Sequence, residues 1–356
     1  MTVPHETEAL TAIFRRLIEN YGPISLAHYM GESNARYYAG KDPLGEDGDF
    51  ITAPEISQMF GELIGLWLAD MWINAGRPDE IHYVELGPGR GTLAQDALRA
   101  MRRYGLEPSV HFVEGSTALK AIQLEAVPQA YWHDDLSTLP MYGPLLIVGN
   151  EFLDALPVRQ LVRTEAGWRE RMVGWQDGRL LPVLGTMPMD AAVRAEQRPD
   201  LRGTPDGTIV ETSPAAAAVV YEIAGRLIDQ GGAALLIDYG YDEPRTGSTL
   251  QAVRAHMKVD PFALPGEADL TAHVDFHALS NAALSRGCRW LGTVEQGRFL
   301  RNLGIEARAE ALSKVAPEHA EAIHSACTRL TAEGQMGALF KVLGLAAPNW
   351  PDGAGF

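Results

Sequence analysis

Cysteine is nearly absent: only Cys288 and Cys327 occur in 356 residues, with neither CxxC nor zinc-ligand spacing. That excludes a disulfide framework and a structural zinc site, and it suits a reducing compartment. Positive charge is also short: 30 Lys and Arg stand against 46 Asp and Glu, a net charge of −16. Such a surface repels phosphate backbones, so nucleic acid and anionic membrane are excluded as main partners, whereas a basic protein segment is tolerated. No apolar run approaches the roughly 18 residues of a membrane span. The opening MTVPHETEAL carries acids at once and has neither an apolar h-region nor Arg- and Ser-rich transit character. The cytoplasm is the expected compartment, without membrane insertion.

What is present is organised around Ile81 to Thr92, IHYVELGPGRGT. Residues of strand type run into Gly87, Gly89 and Gly91, and a helical stretch from Thr92 to Tyr104 follows. Glycines let the chain turn with positive φ and let a ligand approach the backbone, while a helix N-terminus adds unpaired N–H groups. The spacing is GxGxG rather than the GxGxxG of dinucleotide loops, and Glu85 precedes the first glycine. An acid there crowds a pyrophosphate but suits an ammonium or sulfonium group, which points to S-adenosylmethionine. Glu114, at the end of the next strand (VHFVE), is placed to accept ribose hydroxyls. Asp134 or Asp135, one strand further, can accept from the adenine amino group, and the sequence leaves the choice open.

Pro144 to Asn150 (PLLIVGN) is a continuous apolar run, the pattern of a strand buried on both faces. Ligands of open α/β sheets sit beyond the carboxyl ends of such strands, so Asn150, Glu151 and Asp154 face the chemistry. Ala233 to Ile237 is a further buried strand, closing on Asp238. Upstream, Thr52 with Glu55 has capping-box spacing before a broad apolar stripe from Ile56 to Met71. Thr52, Glu55, Ser57 and Gln58 either cover a ligand or cap that helix.

Elsewhere, Thr7 to Tyr21 predicts an amphipathic helix, Ser25 caps a short second one, and Gly31 to Gly48 reads as a loop. Val158 to Leu184 alternates with period two, an antiparallel excursion, and Met187 to Asp206 reads as a linker. His273 and His277 share one face if helical, but without a third ligand no metal site is expected, and Asp275 is a possible partner of Asp238. The last strand is expected at Met336 to Val342. Strands alternating with helices imply an α/β fold, a doubly wound and mainly parallel sheet. The expected organisation is one elaborated domain: a helical cap (1–80), a catalytic core (81–157 and 207–345) and a β excursion with loop (158–206).

ELGPGRGTL, HFVEGS, NEFLDALPV, IDYG and GDFITAPEISQMFGE together resemble the MidA family, collinearly over nearly the whole chain. The resemblance implies a class I methyltransferase fold with a helical N-terminal extension and an antiparallel β insertion. It implies S-adenosyl-L-methionine as cofactor and protein arginine as acceptor, in the family a respiratory complex I subunit. Carried over are Gly87, Gly89 and Gly91 for the cofactor loop, Glu114 for ribose, and Asn150 to Asp154 for the active site. Arginine has a pKa of ~12.5–13.8, so freeing a neutral guanidine at pH 7 costs roughly 7–9 kcal/mol. Carboxylates should therefore orient the guanidinium fork and take its proton as the new bond forms; Glu151 and Asp154 are the candidates, with Asp238 in reserve. The alternatives are a nicotinamide-dependent oxidoreductase and a non-catalytic assembly factor.

Overall fold

A computed structural model describes residues 9–40, 51–190, 201 and 203–356. In chain order it has α1 (Leu10–Tyr21), β1 (Ile24–Ser25), α2 (Leu26–Gly40), α3 (Ala53–Ile56), α4 (Gln58–Asn74), β2 (His82–Leu86) and α5 (Thr92–Arg102). Then come β3 (Ser109–Val113), α6 (Thr117–Ala126), β4 (Tyr131–His133), β5 (Leu145–Asn150), β6 (Arg159–Thr164), β7 (Gly167–Gln176), β8 (Arg179–Pro188) and β9 (Ile209–Thr212). The remainder holds α7 (Pro214–Gln230), β10 (Gly232–Tyr241), β11 (Gln251–Arg254), β12 (Met257–Val259), β13 (Asp269–Thr271), β14 (Val274–Asp275), α8 (Phe276–Arg286), β15 (Arg289–Glu295), helical segments between 296 and 339, and β16 (Phe340–Ala346).

The chain gathers into two compact units and crosses between them five times. The larger comprises Asp42–Asp154, Ala216–Glu243 and His273–Phe356. Its sheet runs β15-β16-β10-β5-β2-β3-β4, with β14 alongside β10. From β10 to β4 every pairing is parallel, and β16 lies antiparallel between β10 and β15. β2 and β5 are buried along their whole length; the apolar run of β5 requires it, and β2 buries His82 and Glu85 with its apolar residues. Phe60, Ile64, Trp67, Tyr83, Phe112, Val148, Leu235 and Phe299 anchor the core. Gly61 and Gly65 bring α4 against α5 so closely that a Cβ at either would meet Asp96 or the Ala97 backbone at 2.4–2.6 Å. The glycine loop's helix is thereby fixed from behind.

The smaller unit comprises Met1–Lys41, Ala155–Ala215 and Pro244–Ala272. Its sheet runs β1-β7-β6-β9 with β8 on β7, all antiparallel. Leu10, Phe14, Tyr29, Val173 and Leu270 pack with it, and β11 to β13 form a second small antiparallel sheet.

Several local expectations are corrected. α2 continues through Gly40, so the expected loop from Gly31 is helix at its start; residues 41–50 lie outside the described residues. The inward face of α2 carries Ser33 and Asn34 between Met30 and Tyr37, which broke its apolar period: Asn34 donates to Ala155 and Leu270 carbonyls at 2.9 and 2.8 Å and accepts from Leu270 N at 3.1 Å. The helix expected from Thr52 is two, broken at an extended Ser57. The last strand starts at Phe340, because Met336–Leu339 is a helical turn. Most of the linker expected before Asp206 falls on 191–200 and 202, outside the described residues.

Candidate active site

The glycine loop turns as its spacing predicts. Gly87, Gly89 and Gly91 have φ of 59°, 55° and 81°, a region where L side chains are strained. Gly87 N–H donates to Val113 O at 3.0 Å and Gly91 N–H to Pro88 O at 2.7 Å, which closes the turn onto α5. Gly91 occupies the N-cap of α5 with no side-chain cap, so the helix's first N–H groups are not closed off by a capping side chain.

Acids sit under and around this loop. Glu85, on β2, is 3% exposed and accepts from Tyr83 Oη at 2.5 Å. Burial pushes its pKa up to about 8, with the tyrosine hydrogen bond pulling weakly the other way. Glu114, at the tip of β3, accepts from Ser116 N at 2.7 Å and from Gln123 Nε2 at 3.0 Å. Burial raises its pKa as well. Beyond β4 the two aspartates differ. Asp134 is exposed and pairs with Lys120 at 2.8 Å. Asp135 caps a short 3-10 turn, accepting from Ser137 N at 2.8 Å and Ser137 Oγ at 2.5 Å, and these bonds lower its pKa.

The third group lies at the tips of β5 and β10. Asn150 Nδ2 donates to Glu151 Oε1 at 3.1 Å, while Asn150 Oδ1 is buried with no hydrogen-bond partner among the described residues. Glu151 adopts φ +51°, the sharp turn off the strand. Its Oε1 also accepts from Ala53 N at 3.2 Å. Asp238 is fully buried and accepts from Leu153 N, Asp154 N and Tyr239 N at 3.0, 3.1 and 2.9 Å. Burial raises its pKa well above the carboxylate range, and the charges of Asp154 and Glu151 raise it further.

The segment Thr52 to Gln58 ties two of these groups together. Ala53 N reaches Glu151, and Glu55 Oε1 accepts from Thr92 Oγ1 at 2.5 Å, at the first residue of α5. Thr52 is buried at the N-cap of α3 but its side chain makes no cap bond, so the capping box expected with Glu55 is not formed. Ser57 does cap, accepting from Met59 N at 3.2 Å for α4. Gln58 is exposed on the first turn of that helix. His273 precedes α8 and stacks edge-on to Tyr239, so it shares no helix face with His277. Asp275 caps α8, accepting from Ala278 N at 2.9 Å. Among the described residues no group of three or more His, Cys, Asp or Glu is arranged to hold a metal ion. No described helix is long and apolar enough to cross a membrane.

Sequence reasoning missed Gln123 and the approach of Phe152 to Gly87. Gln123 is wholly buried on α6 and holds both Glu114 and the Gly89 carbonyl. Its signal was a polar residue on the same helical face as Leu119 and Ala126. Phe152 lies where a Cβ on Gly87 would meet its ring at 2.9 Å, a contact with no local signature.

Residues 63–294 match the model of a family described as "Putative S-adenosyl-L-methionine-dependent methyltransferase". The chain is 37% identical to the mouse protein arginine methyltransferase NDUFAF7, mitochondrial, over 88% of its own length and 79% of that protein's. It is 37% identical to the Drosophila melanogaster homologue, over 95% and 84%. A Burkholderia thailandensis protein crystallised with S-adenosyl-homocysteine is similar at 30% identity and a TM-score of 0.81, covering 97% of this chain and 95% of that one. These findings overturn the nicotinamide alternative. The larger unit has the class I methyltransferase fold, and the chain belongs to the S-adenosylmethionine-dependent methyltransferase family that includes the NDUFAF7 proteins.

Proposed function

We propose that this chain methylates arginine of a protein substrate, with the acids at the tips of β5 and β10 receiving the guanidinium. The observation that carries this reading is Asp238: fully buried, with its proton affinity raised by Asp154 and Glu151 beside it. Setting the half-buried Glu151 and the buried Asp154 beside a fully buried Asp238 costs free energy unless a cation offsets it. A planar guanidinium, with five N–H donors in a fixed fork, matches such a cluster.

The residues around the glycine loop fit a cationic cofactor. Asn150 Oδ1 is buried without a hydrogen-bond partner among the described residues, and burial raises the pKa of Glu85 to about 8, so a positive charge would displace its proton. The bound cofactor supplies an electrophilic methyl group. Gly87, Gly89 and Gly91 let the backbone approach it, Glu85 faces its ammonium group, and Glu114 accepts the ribose hydroxyls. Both aspartates stay candidates for the adenine amino group, Asp134 with one oxygen on Lys120 and Asp135 with one oxygen on Ser137. Glu151 and Asp154 orient the guanidinium so that one nitrogen faces the methyl carbon. Were the methyl group to pass to that nitrogen as its bond to the cofactor's sulfur breaks, leaving S-adenosylhomocysteine, the Glu151 carboxylate would take the proton the nitrogen gives up. Positioning of this kind is worth an effective molarity of up to roughly 10⁵–10⁸ M. Thr52, Glu55, Ser57 and Gln58 border the acceptor, held there by Glu55 on Thr92 and by Ala53 on Glu151.

We read the whole chain as one elaborated catalytic domain. The acceptor we favour is a respiratory complex I subunit, on the strength of the family resemblance. The curated relatives carry "mitochondrial" in their names; for this chain we favour a reducing compartment, the cytoplasm, from its two cysteines without disulfide spacing. The test is mass spectrometry of arginine residues in a deletion strain and after incubation with the purified enzyme. Monomethyl- or dimethylarginine that disappears on deletion and returns with enzyme supports the reading; an unchanged arginine profile in both overturns it in favour of a non-catalytic assembly factor.

A further inference from the structure

Gln123 makes three hydrogen bonds to three different parts of the cofactor cradle. Its Nε2 donates to the Gly89 carbonyl at 2.8 Å and to Glu114 Oε2 at 3.0 Å. Its Oε1 accepts from Trp132 Nε1 at 2.9 Å. The amide orientation follows from chemistry alone. An indole N–H only donates, so the amide oxygen must face Trp132, and the two amide hydrogens then meet the two acceptors. Turned the other way, Oε1 would confront a carbonyl and a carboxylate. The side chain is wholly buried, on the face of α6 that also buries Leu119. An apolar residue would fill that face at lower cost, since a buried amide must have all its partners to break even. The three partners sit on the glycine loop after β2, at the tip of β3 and on β4, just before Asp134.

We propose that Gln123 is a positioning residue for the adenosyl ribose: it sets the Glu114 carboxylate at a fixed distance from the glycine loop. Ser116 N holds one carboxylate oxygen and Gln123 the other, so the plane of the acid is fixed before a ribose arrives. Trp132 acts one step further out, by holding the amide the right way round. The inference rests on the ribose role assigned to Glu114 and adds a residue that role does not require.

The experiment compares binding of S-adenosylhomocysteine, 5′-methylthioadenosine and 5′-methylthio-2′-deoxyadenosine by calorimetry to the wild type, Gln123→Met, Trp132→Phe and Glu114→Gln. Methionine keeps the volume and helix preference of glutamine. Gln123→Met should weaken S-adenosylhomocysteine about tenfold, the size of one hydrogen bond to a charged group. It should also erase most of the wild-type preference for the 2′-hydroxyl and raise KM for S-adenosylmethionine more than it lowers kcat. Trp132→Phe should move all three readouts the same way by a smaller factor, and it carries the test if Gln123→Met does not fold. A residue that merely fills the core would lower the melting temperature and leave the 2′-hydroxyl preference intact; that result overturns the proposal. Glu114→Gln separates the two ideas. If it loses the preference while Gln123→Met and Trp132→Phe keep it, the positioning role fails and the ribose role stands. If all three variants keep it, both fail.

Discussion

Two polar clusters in the larger unit respond to burial in opposite directions. Along β2, β3 and β4, His82 Nδ1 lies 3.1 Å from His111 Nε2, and His111 Nδ1 lies 3.0 Å from His133 Nε2. The ends are closed by the Tyr142 carbonyl at 2.9 Å from His82 and by Thr138 Oγ1 at 2.9 Å from His133. A carbonyl only accepts, so His82 Nε2 donates to it, and each imidazole in turn donates through Nε2 and accepts through Nδ1. All three rings are neutral, and burial lowers the pKa of each, that of His111 to about 4. At the strand tips the same dehydration raises Glu85, Glu114 and Asp238. The histidines complete one another. Among the acids, the charges of Asp154 and Glu151 raise Asp238 further, whereas that of Lys120 pulls Glu114 back down. Burial acts on both clusters alike; the sign of the buried group decides which way its proton affinity moves.

The sharpest way to break this comparison is Glu151→Gln, which keeps shape and removes the proton acceptor. Methyl transfer should fall by a factor on the order of 10²–10⁴, with S-adenosylhomocysteine affinity within a few-fold by calorimetry; full activity would remove Glu151 from the chemistry. Next in size, Glu114→Gln should weaken S-adenosylhomocysteine by roughly ten- to a hundredfold, the range for hydrogen bonds to a charged acceptor.

The imidazole chain sharpens the comparison through pH. His111 has a folded pKa of about 4 against 6.5 unfolded, so its contribution is present above pH 6.5 and is lost as pH falls toward 4. Over that window the wild type should lose about 3 kcal/mol that a His111→Phe variant does not, read from urea midpoints at several pH values. The charge of Glu80 opposes this loss at His82, as do those of Asp134 and Asp135 at His133, while Arg226 adds to it at both rings. Equal acid limbs in the two proteins would contradict a neutral chain. Smallest is Thr92→Val, which frees Glu55 from α5. About 1 kcal/mol, or roughly 2–4 °C in melting temperature, is expected.

The sequence made the parallel core readable because both faces of β2 and β5 are buried, and PLLIVGN has no polar alternation to confuse it. The glycine spacing and the acids at strand ends were readable for the same reason, since each follows an unmistakable strand. Partners distant in sequence were not. The three histidines lie 29 and 22 residues apart on separate strands and carry no local pattern. Ser57 breaks its helix by adopting an extended backbone, although Thr52 offered a better capping sequence. α2 was hidden because Ser33 and Asn34 interrupt its buried face between Met30 and Tyr37.

The proton on Glu85 offers the most direct test. Titrating S-adenosylmethionine into the enzyme at pH 7, in buffers of different ionisation enthalpy, counts protons exchanged on binding. With a pKa near 8 in the free protein, Glu85 should release close to one proton as the ammonium group replaces it, and Glu85→Gln should abolish that release. Binding with no proton release in the wild type, or equal release in the variant, would contradict a Glu85 held neutral until its cation arrives.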